Sequence, residues 1–231
     1  MQIHYLGHSA FKVSIEGAVL LFDPFLTGNP KFTGARDAMI ADVTHVLLTH
    51  GHNDHFGDTL DILARTDALL IANPELCHYV QATRPEARVH AMNYGGKRDF
   101  GPFSVAMVPA WHSSVYNAPD GRTIPAGNPA GLVITAGGHR LYHMGDTSIF
   151  SDMALINELH RPNIGLVPIG DNFTMGPNEA ALAVNRYFDF DLVIPCHYAT
   201  FGLLEPSADG FAAKVEKSRV EIMAPMTSIG V

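Results

Sequence analysis

The chain has 231 residues, 47% of them hydrophobic and 16% charged, with a formal net charge of −8. That length and balance suit a single globular domain over residues 1–231 with a sizeable core and argue against a disordered or coiled-coil chain. No Lys/Arg cluster points to nucleic acid, the two cysteines (Cys77 and Cys196) form no disulfide framework, and no signal peptide or bilayer-spanning run is visible, so a cytoplasmic protein with no membrane association is expected.

Residues 2–6, 10–16 and 18–22 read as short strands, with Glu16-Gly17 as a turn and Asp23-Pro24 ending the third. A loop rich in Gly, Pro, Asn and Thr follows over 24–41, long enough to suggest a function. Residues 44–49 read as a buried strand that runs straight into His50, so the segment after it is expected to be a loop at the strand's C-terminal end. Helices are expected at 58–65 and 74–82, around a strand at 68–72. Sheet returns at 89–92, 98–100 and 103–109. A second long loop spans 111–129, and 132–135 pairs with 140–143 around Gly137-Gly138. The remainder alternates: helix 148–160, strand 164–169, helix 178–188 entered by Pro177, strand 192–195, helix 208–217 and strand 220–223. Two mixed sheets with helices on both outer faces satisfy the layering rule, an α/β (α+β) arrangement.

The chemistry concentrates in Thr49-His50-Gly51-His52-Asn53-Asp54-His55-Phe56-Gly57. Four metal-capable side chains fall within six residues there. They cannot all coordinate one ion from so short a segment, whereas two ions can share them, His50 and His52 on one, Asp54 and His55 on the other. The bland alternative is a solvated polar turn, but such turns rarely hold three histidines at this spacing. Thirteen histidines are present in all. His4, His45, His78, His90, His139, His143 and His160 lack such a context and read as ordinary structural residues.

The run His50-x-His52-x-Asp54-His55 resembles the signature of the metallo-β-lactamase-fold superfamily. Matches continue in order through His112, Asp146 in Gly145-Asp146-Thr147, and His197 in Pro195-Cys196-His197, with Asp23 in Phe22-Asp23-Pro24 upstream. Three further segments resemble metal-dependent hydrolases related to ascorbate-6-phosphate lactonase. They are Tyr5-Leu6-Gly7-His8-Ser9-Ala10-Phe11, Pro109-Ala110-Trp111-His112-Ser113-Ser114 and Ile169-Gly170-Asp171-Asn172-Phe173-Thr174-Met175-Gly176-Pro177. The resemblance implies a four-layer αββα sandwich with metals at one end, between the sheets. It implies His50, His52 and His112 as one ligand set, Asp54, His55 and His197 as a second, and Asp146 as the bridge. It names no substrate.

Two divalent ions about 3.5–4 Å apart would share one carboxylate and one water, whose pKa falls to roughly 7, giving a bridging hydroxide as nucleophile. Asp54 is the expected catalytic residue, orienting that nucleophile or accepting its proton. Zinc is the expected metal, with manganese, iron or nickel as alternatives. Asp146 has a bland reading as the cap of a helix near Ser148. Cys196 is the packing residue beside His197, since neighbours on a strand face opposite ways. Asp23 reads as support for a metal-binding imidazole, while His8, Asp171 and Asn172 read equally as supporting groups, substrate contacts or turn residues.

The expected activity is hydrolysis of a small-molecule ester, lactone, amide or phosphoester. The rivals are a metallo-nuclease, which needs a basic face, and a non-hydrolytic metal-binding or redox protein. Lys31, Arg36, Lys97, Arg98 and Arg122 are the candidate anion contacts, read mostly as solvated charges. Loops 24–41 and 111–129 are expected to border the metal end.

Overall fold

The computed structural model describes residues 1–231. The first half runs β1 (Gln2–Gly7), β2 (Ala10–Ile15), β3 (Ala18–Phe22), α1 (Arg36–Ile40), β4 (His45–Leu47), α2 (Asn53–Phe56), α3 (Thr59–Arg65), β5 (Leu69–Ala72), α4 (Pro74–Thr83) and β6 (Val89–Ala91). The second half runs β7 (Lys97–Asp99), β8 (Ser104–Pro109), β9 (Val115–Asn117), β10 (Thr123–Pro125), β11 (Ala130–Ala136), β12 (His139–His143), α5 (Met153–His160), β13 (Ile164–Pro168), α6 (Pro177–Tyr187), β14 (Leu192–Cys196), α7 (Asp209–Ala212), β15 (Arg219–Val220) and β16 (Thr227–Gly230).

Two seven-stranded mixed sheets result, ordered β16-β1-β2-β3-β4-β5-β6 and β15-β14-β13-β12-β11-β8-β7. Period-2 alternation sorts their side chains into layers. Leu20 and Phe22 join Leu132, Ile134, Leu192 and Ile194 in the core between the sheets. Leu21, Val46 and Leu70 face the other way, onto Ile62, Leu63, Leu76 and Val80 of α3 and α4. Val133, Val167 and Val193 do the same on the second sheet, against Met153, Ile156, Ala183 and Val184 of α5 and α6. Helix, sheet, sheet, helix is the αββα order anticipated. No helix is long and apolar enough to cross a membrane.

Several local expectations are corrected. The segment after His50 is not all loop: Phe56 N–H donates to His52 O at 2.8 Å and Gly57 N–H to Asn53 O at 3.1 Å, closing the turn α2. The helix expected from 148 starts at Met153, with Asp152 in the N-cap position but making no side-chain cap bond. Residues 146–148 are instead stitched to the 111 loop, Ser148 N–H to Trp111 O at 3.1 Å and Trp111 N–H to Thr147 Oγ1 at 2.9 Å. Asp146 therefore caps nothing. The 208–217 helix shortens to α7, because Asn185 takes up the Lys214 carbonyl and the Glu216 N–H. The strand at 220–223 shrinks to β15. The 24–41 loop contains α1, and the 111–129 loop contains the β9–β10 hairpin. The closing strand β16 pairs with β1, Gln2 opposite Gly230. It is largely exposed and carries little hydrophobic alternation.

Candidate metal centre

The strands deliver the functional side chains at one end. Asp23 follows β3, His50 follows β4, His112 follows β8, Asp146 follows β12 and His197 follows β14. Short loops past strand ends are where backbone can turn sharply. Asp23 and His197 both adopt left-handed backbone, with φ of 42° and 57°. Gly170 makes room for the second: a Cβ there would fall 2.1 Å from His197 O and 2.8 Å from its Nδ1.

Asp146 Oδ2 sits at the middle. It lies 3.0 Å from His197 Nε2, 3.2 Å from His55 Nε2, 3.6 Å from His112 Nε2 and 3.9 Å from His50 Nε2. His50 Nε2 is 3.0 Å from His52 Nδ1. On the other side, Asp54 Oδ2 is 3.0 Å from His8 Nε2 and 3.9 Å from His197 Nε2. Donor atoms thus converge in adjoining groups: His50, His52 and His112; His50, His55 and Asp146; and His8, Asp54, His55 and His197. All seven ligand candidates lie at this end.

The surrounding hydrogen bonds fix which ring nitrogens carry protons. Asp23, fully buried, accepts from Thr49 N–H at 2.8 Å on Oδ1, and from Thr49 Oγ–H at 2.7 Å and His55 Nδ1–H at 2.8 Å on Oδ2. Because the Thr49 hydroxyl spends its proton on Asp23, it accepts from His50 Nδ1–H at 3.0 Å. Both rings therefore turn Nε2 inward, the nitrogen a ligating imidazole offers to a cation. Asp54, an acceptor when ionised, requires His8 to donate from Nε2, so the Thr200 hydroxyl donates to His8 Nδ1 at 3.0 Å. Ser113 Oγ lies 3.3 Å from His52 Nε2.

Burial lowers the basicity of His50, His52 and His112, which keeps them in the neutral form that binds cations. Burial, with His197 close by, also pushes His8 down to about 4. For His55, burial acts downward too, but Asp146 and Asp23 on either side overcome it and hold the imidazole well above its usual value. Burial alone would raise Asp146, yet His197 and His55 hold it well below the carboxylate range. Burial likewise opposes ionisation of Asp54, and the His8 hydrogen bond and nearby His55 outweigh it.

These residues fit a cation. Asp146 Oδ1 is buried at the centre without a hydrogen-bond partner, and His55 Nε2 faces only the Asp146 carboxylate, at 3.2 Å. Orphaned buried polar atoms cost about 1–3 kcal/mol each. Imidazole nitrogens mixed with carboxylate oxygens match the divalent transition metals rather than magnesium or calcium.

Asp171 and Asn172 form an exposed turn beside Gly170, in which Asp171 Oδ1 accepts Asn172 N–H at 2.8 Å; they are not among the converging donors. His143 is a packing residue: its ring stacks on Phe22 and donates to Ser9 O at 3.0 Å. Cys196 packs in the inter-sheet core. Loop 111–129 does border the centre. Ser114 Oγ accepts Gly51 N–H at 3.1 Å, and Asn117 exchanges two hydrogen bonds with Asn53. Loop 24–41 approaches through Phe25, whose ring is 5.8 Å from that of His8, and through Asn29, whose Nδ2 donates to Gly7 O at 3.3 Å. Thr49, Thr200 and Ser113 escaped the sequence reading. Thr49 adjoins the histidine run, which is a usable signal; Thr200 has none.

Residues 19–198 match the beta-lactamase superfamily domain. The chain is 53% identical over 226 residues to a metal-dependent hydrolase from Methylocella silvestris, covering 97% of each. A metallo hydrolase from the archaeon Ignicoccus hospitalis superposes with a TM-score of 0.84 at 33% identity, over 99% of this chain and 97% of that one. A diiron β-hydroxylase from Streptomyces venezuelae shares the fold, with a TM-score of 0.67 at 18% identity over 93% of this chain and 47% of its own. Fold alone does not choose between such chemistries.

Proposed function

The chain belongs to the beta-lactamase superfamily, and from that premise we propose that it is a metal-dependent hydrolase that holds two divalent cations side by side. Its substrate class is a small-molecule ester, lactone, amide or phosphoester. The observation that carries this reading is Asp146 Oδ2, which stands within 3.9 Å of four inward ring nitrogens drawn from two neighbouring donor groups. A carboxylate between two such groups is the natural bridge. His50, His52 and His112 would hold one cation, Asp54, His55 and His197 the other. Zinc is the favoured metal, with manganese, iron or nickel alternatives. A pair of such ions supplies Lewis acidity, lowering the pKa of water towards about 7 and offsetting charge on the attacked and leaving oxygens.

The chain's own groups set the rest. Asp23 and Thr49 lock the proton positions of His55 and His50, so no reorganisation is needed at the moment of reaction. His8 holds Asp54 ionised and fixed from one side. Kept anionic in this way, Asp54 is available as a cation ligand and to orient the nucleophile or accept its proton. Elemental analysis together with a hydrolysis screen of esters, lactones, amides and phosphodiesters on metal-reconstituted protein tests the reading. About two ions per chain and turnover of one class are expected. A stable protein that retains only trace metal and gains none on reconstitution would overturn it.

A further inference from the structure

We propose that the metal end recognises an uncharged substrate through an apolar group, and that it has no anchor for a phosphate or other remote anion. This rests on the hydrolase reading and narrows its substrate class to carbon esters, lactones and amides with an apolar arm.

Charge makes the first argument. The stretches 13–30, 37–64, 99–121, 141–160, 162–185 and 187–213 contribute Asp23, the 50–55 run, His112, Asp146, Gly170 and His197, and none contains a lysine or arginine. The cations suspected as anion contacts are committed elsewhere. Arg36 is held by Asp58 and Asp61, each at 3.0 Å, and Arg122 by Asp120 at 2.7 Å. Lys97 and Arg98 belong to β7, the edge strand of the second sheet. Lys31 alone has its stem near the His8 turn, since a Cβ on Gly7 would fall 2.6 Å from Lys31 Cβ. Recognition of a remote anion normally relies on Arg or Lys forks, and carboxylates at Asp54, Asp171 and Glu205 would repel one.

Exposed apolar side chains make the second. Trp111 is 68% exposed, Leu203 70%, Phe173 52% and Phe201 40%. Single exposed apolar residues are ordinary, but these four lie on segments that adjoin the metal centre. Trp111 precedes His112 and bonds Thr147, whose carbonyl accepts Met175 N–H, which brings the turn carrying Phe173 alongside. Leu203 lines a cleft with Asp171 and Asn172. Phe201 has its ring 5.3 Å from that of His8 and 6.2 Å from that of Phe25. Phe201 brings this apolar surface up to His8, while the Trp111 ring extends it outward over Phe150; a group bound at the centre would lay its substituent across it, and burial there is favourable by area alone.

A binding experiment separates this from the reaction itself. Straight-chain alkyl hydroxamates of two to eight carbons are titrated calorimetrically into the metal-loaded protein, beside hydroxamates of equal length ending in a carboxylate. Hydroxamate anchors on the metal whether or not the protein turns anything over. The expected result is a Kd that tightens about two- to fourfold per methylene, lost when the chain ends in carboxylate. Trp111→Ser and Phe201→Ser should flatten the slope while metal content and melting temperature hold. A flat slope in the wild type overturns the proposal, and so does a carboxylate-ended chain that binds as tightly, most directly if Lys31→Ala removes that binding. Should either serine variant split a dimer in light scattering without altering the slope, the patch is a subunit contact and the proposal falls. Wild-type slope in a metal-loaded protein that hydrolyses no ester, lactone, amide or phosphodiester would instead sink the hydrolase reading and leave only the apolar binding surface standing.

Discussion

Replacing Asp23 by Asn preserves shape and deletes one acceptor. Asp23 is fully buried and receives three hydrogen bonds, two from Thr49 and one from His55. An amide has a single oxygen, so the substitution forces a choice. With the nitrogen in the Oδ1 place, it meets Thr49 N–H donor to donor and strands a buried backbone group, at about 1–3 kcal/mol. For a chain of this length that is about 2–4 °C of melting temperature per kcal/mol. With the nitrogen in the Oδ2 place, His55 must accept at Nδ1, which leaves its proton on Nε2, the nitrogen a cation needs. Losing such support typically weakens metal binding about 10–100-fold. The assay is thermal melting of the metal-free protein beside zinc affinity measured against a competing chelator. Expected is a fall in one or both, with the Thr49 N–H and His55 Nδ1 contacts, each 2.8 Å, as the cause. Melting temperature and affinity both matching the wild type would refute the reasoning.

Asp54→Asn should leave the fold intact, weaken the cation held with His55 and His197, and lower kcat more than KM, provided chemistry is the slow step; full turnover with one metal missing would show the second ion is not needed. Gly170→Ala must push His197 aside, since the added carbon would lie 2.1 Å from its carbonyl oxygen; overpacking of about 1–3 kcal/mol and loss of metal are expected, and unchanged metal content would mean the turn relaxes freely. At neutral pH the metal-free protein keeps a proton on His55, because Asp146 and Asp23 hold its pKa well above 6.5. A cation must displace that proton, so apparent affinity rises with pH until the raised pKa is passed and then levels. Calorimetry at pH 7 in buffers of different ionisation enthalpy should register release of about one proton per chain from this group, and a buffer-independent heat would contradict it. Asn53→Ala breaks the paired contact with Asn117 and should cost about 1 kcal/mol with a looser metal site, read by melting and zinc affinity; no change in either would show that the hairpin stabilises nothing beneath it.

The cluster at 50–55 was readable because its donors are contiguous, and the strands were readable because each buries alternate side chains in different layers. The single downstream residues, His112, Asp146 and His197, could be picked out only by resemblance, each lying alone in an ordinary loop context. What surrounds them belonged to the tertiary structure. His8 meets Asp54 across 46 positions of sequence, and Thr200 meets His8 across 192. No local spacing records such a pairing, since it exists only when β1 and the end of β14 arrive at the same rim. The strand β16 escaped for a related reason: an exposed, polar edge strand is held by backbone hydrogen bonds, which every residue type can make. Residue types and their spacing settle which atoms can bind a cation and which faces must be buried. Only the folded chain decided which nitrogens carry protons and which side chains stand around the opening, because those depend on partners brought in from far along the chain.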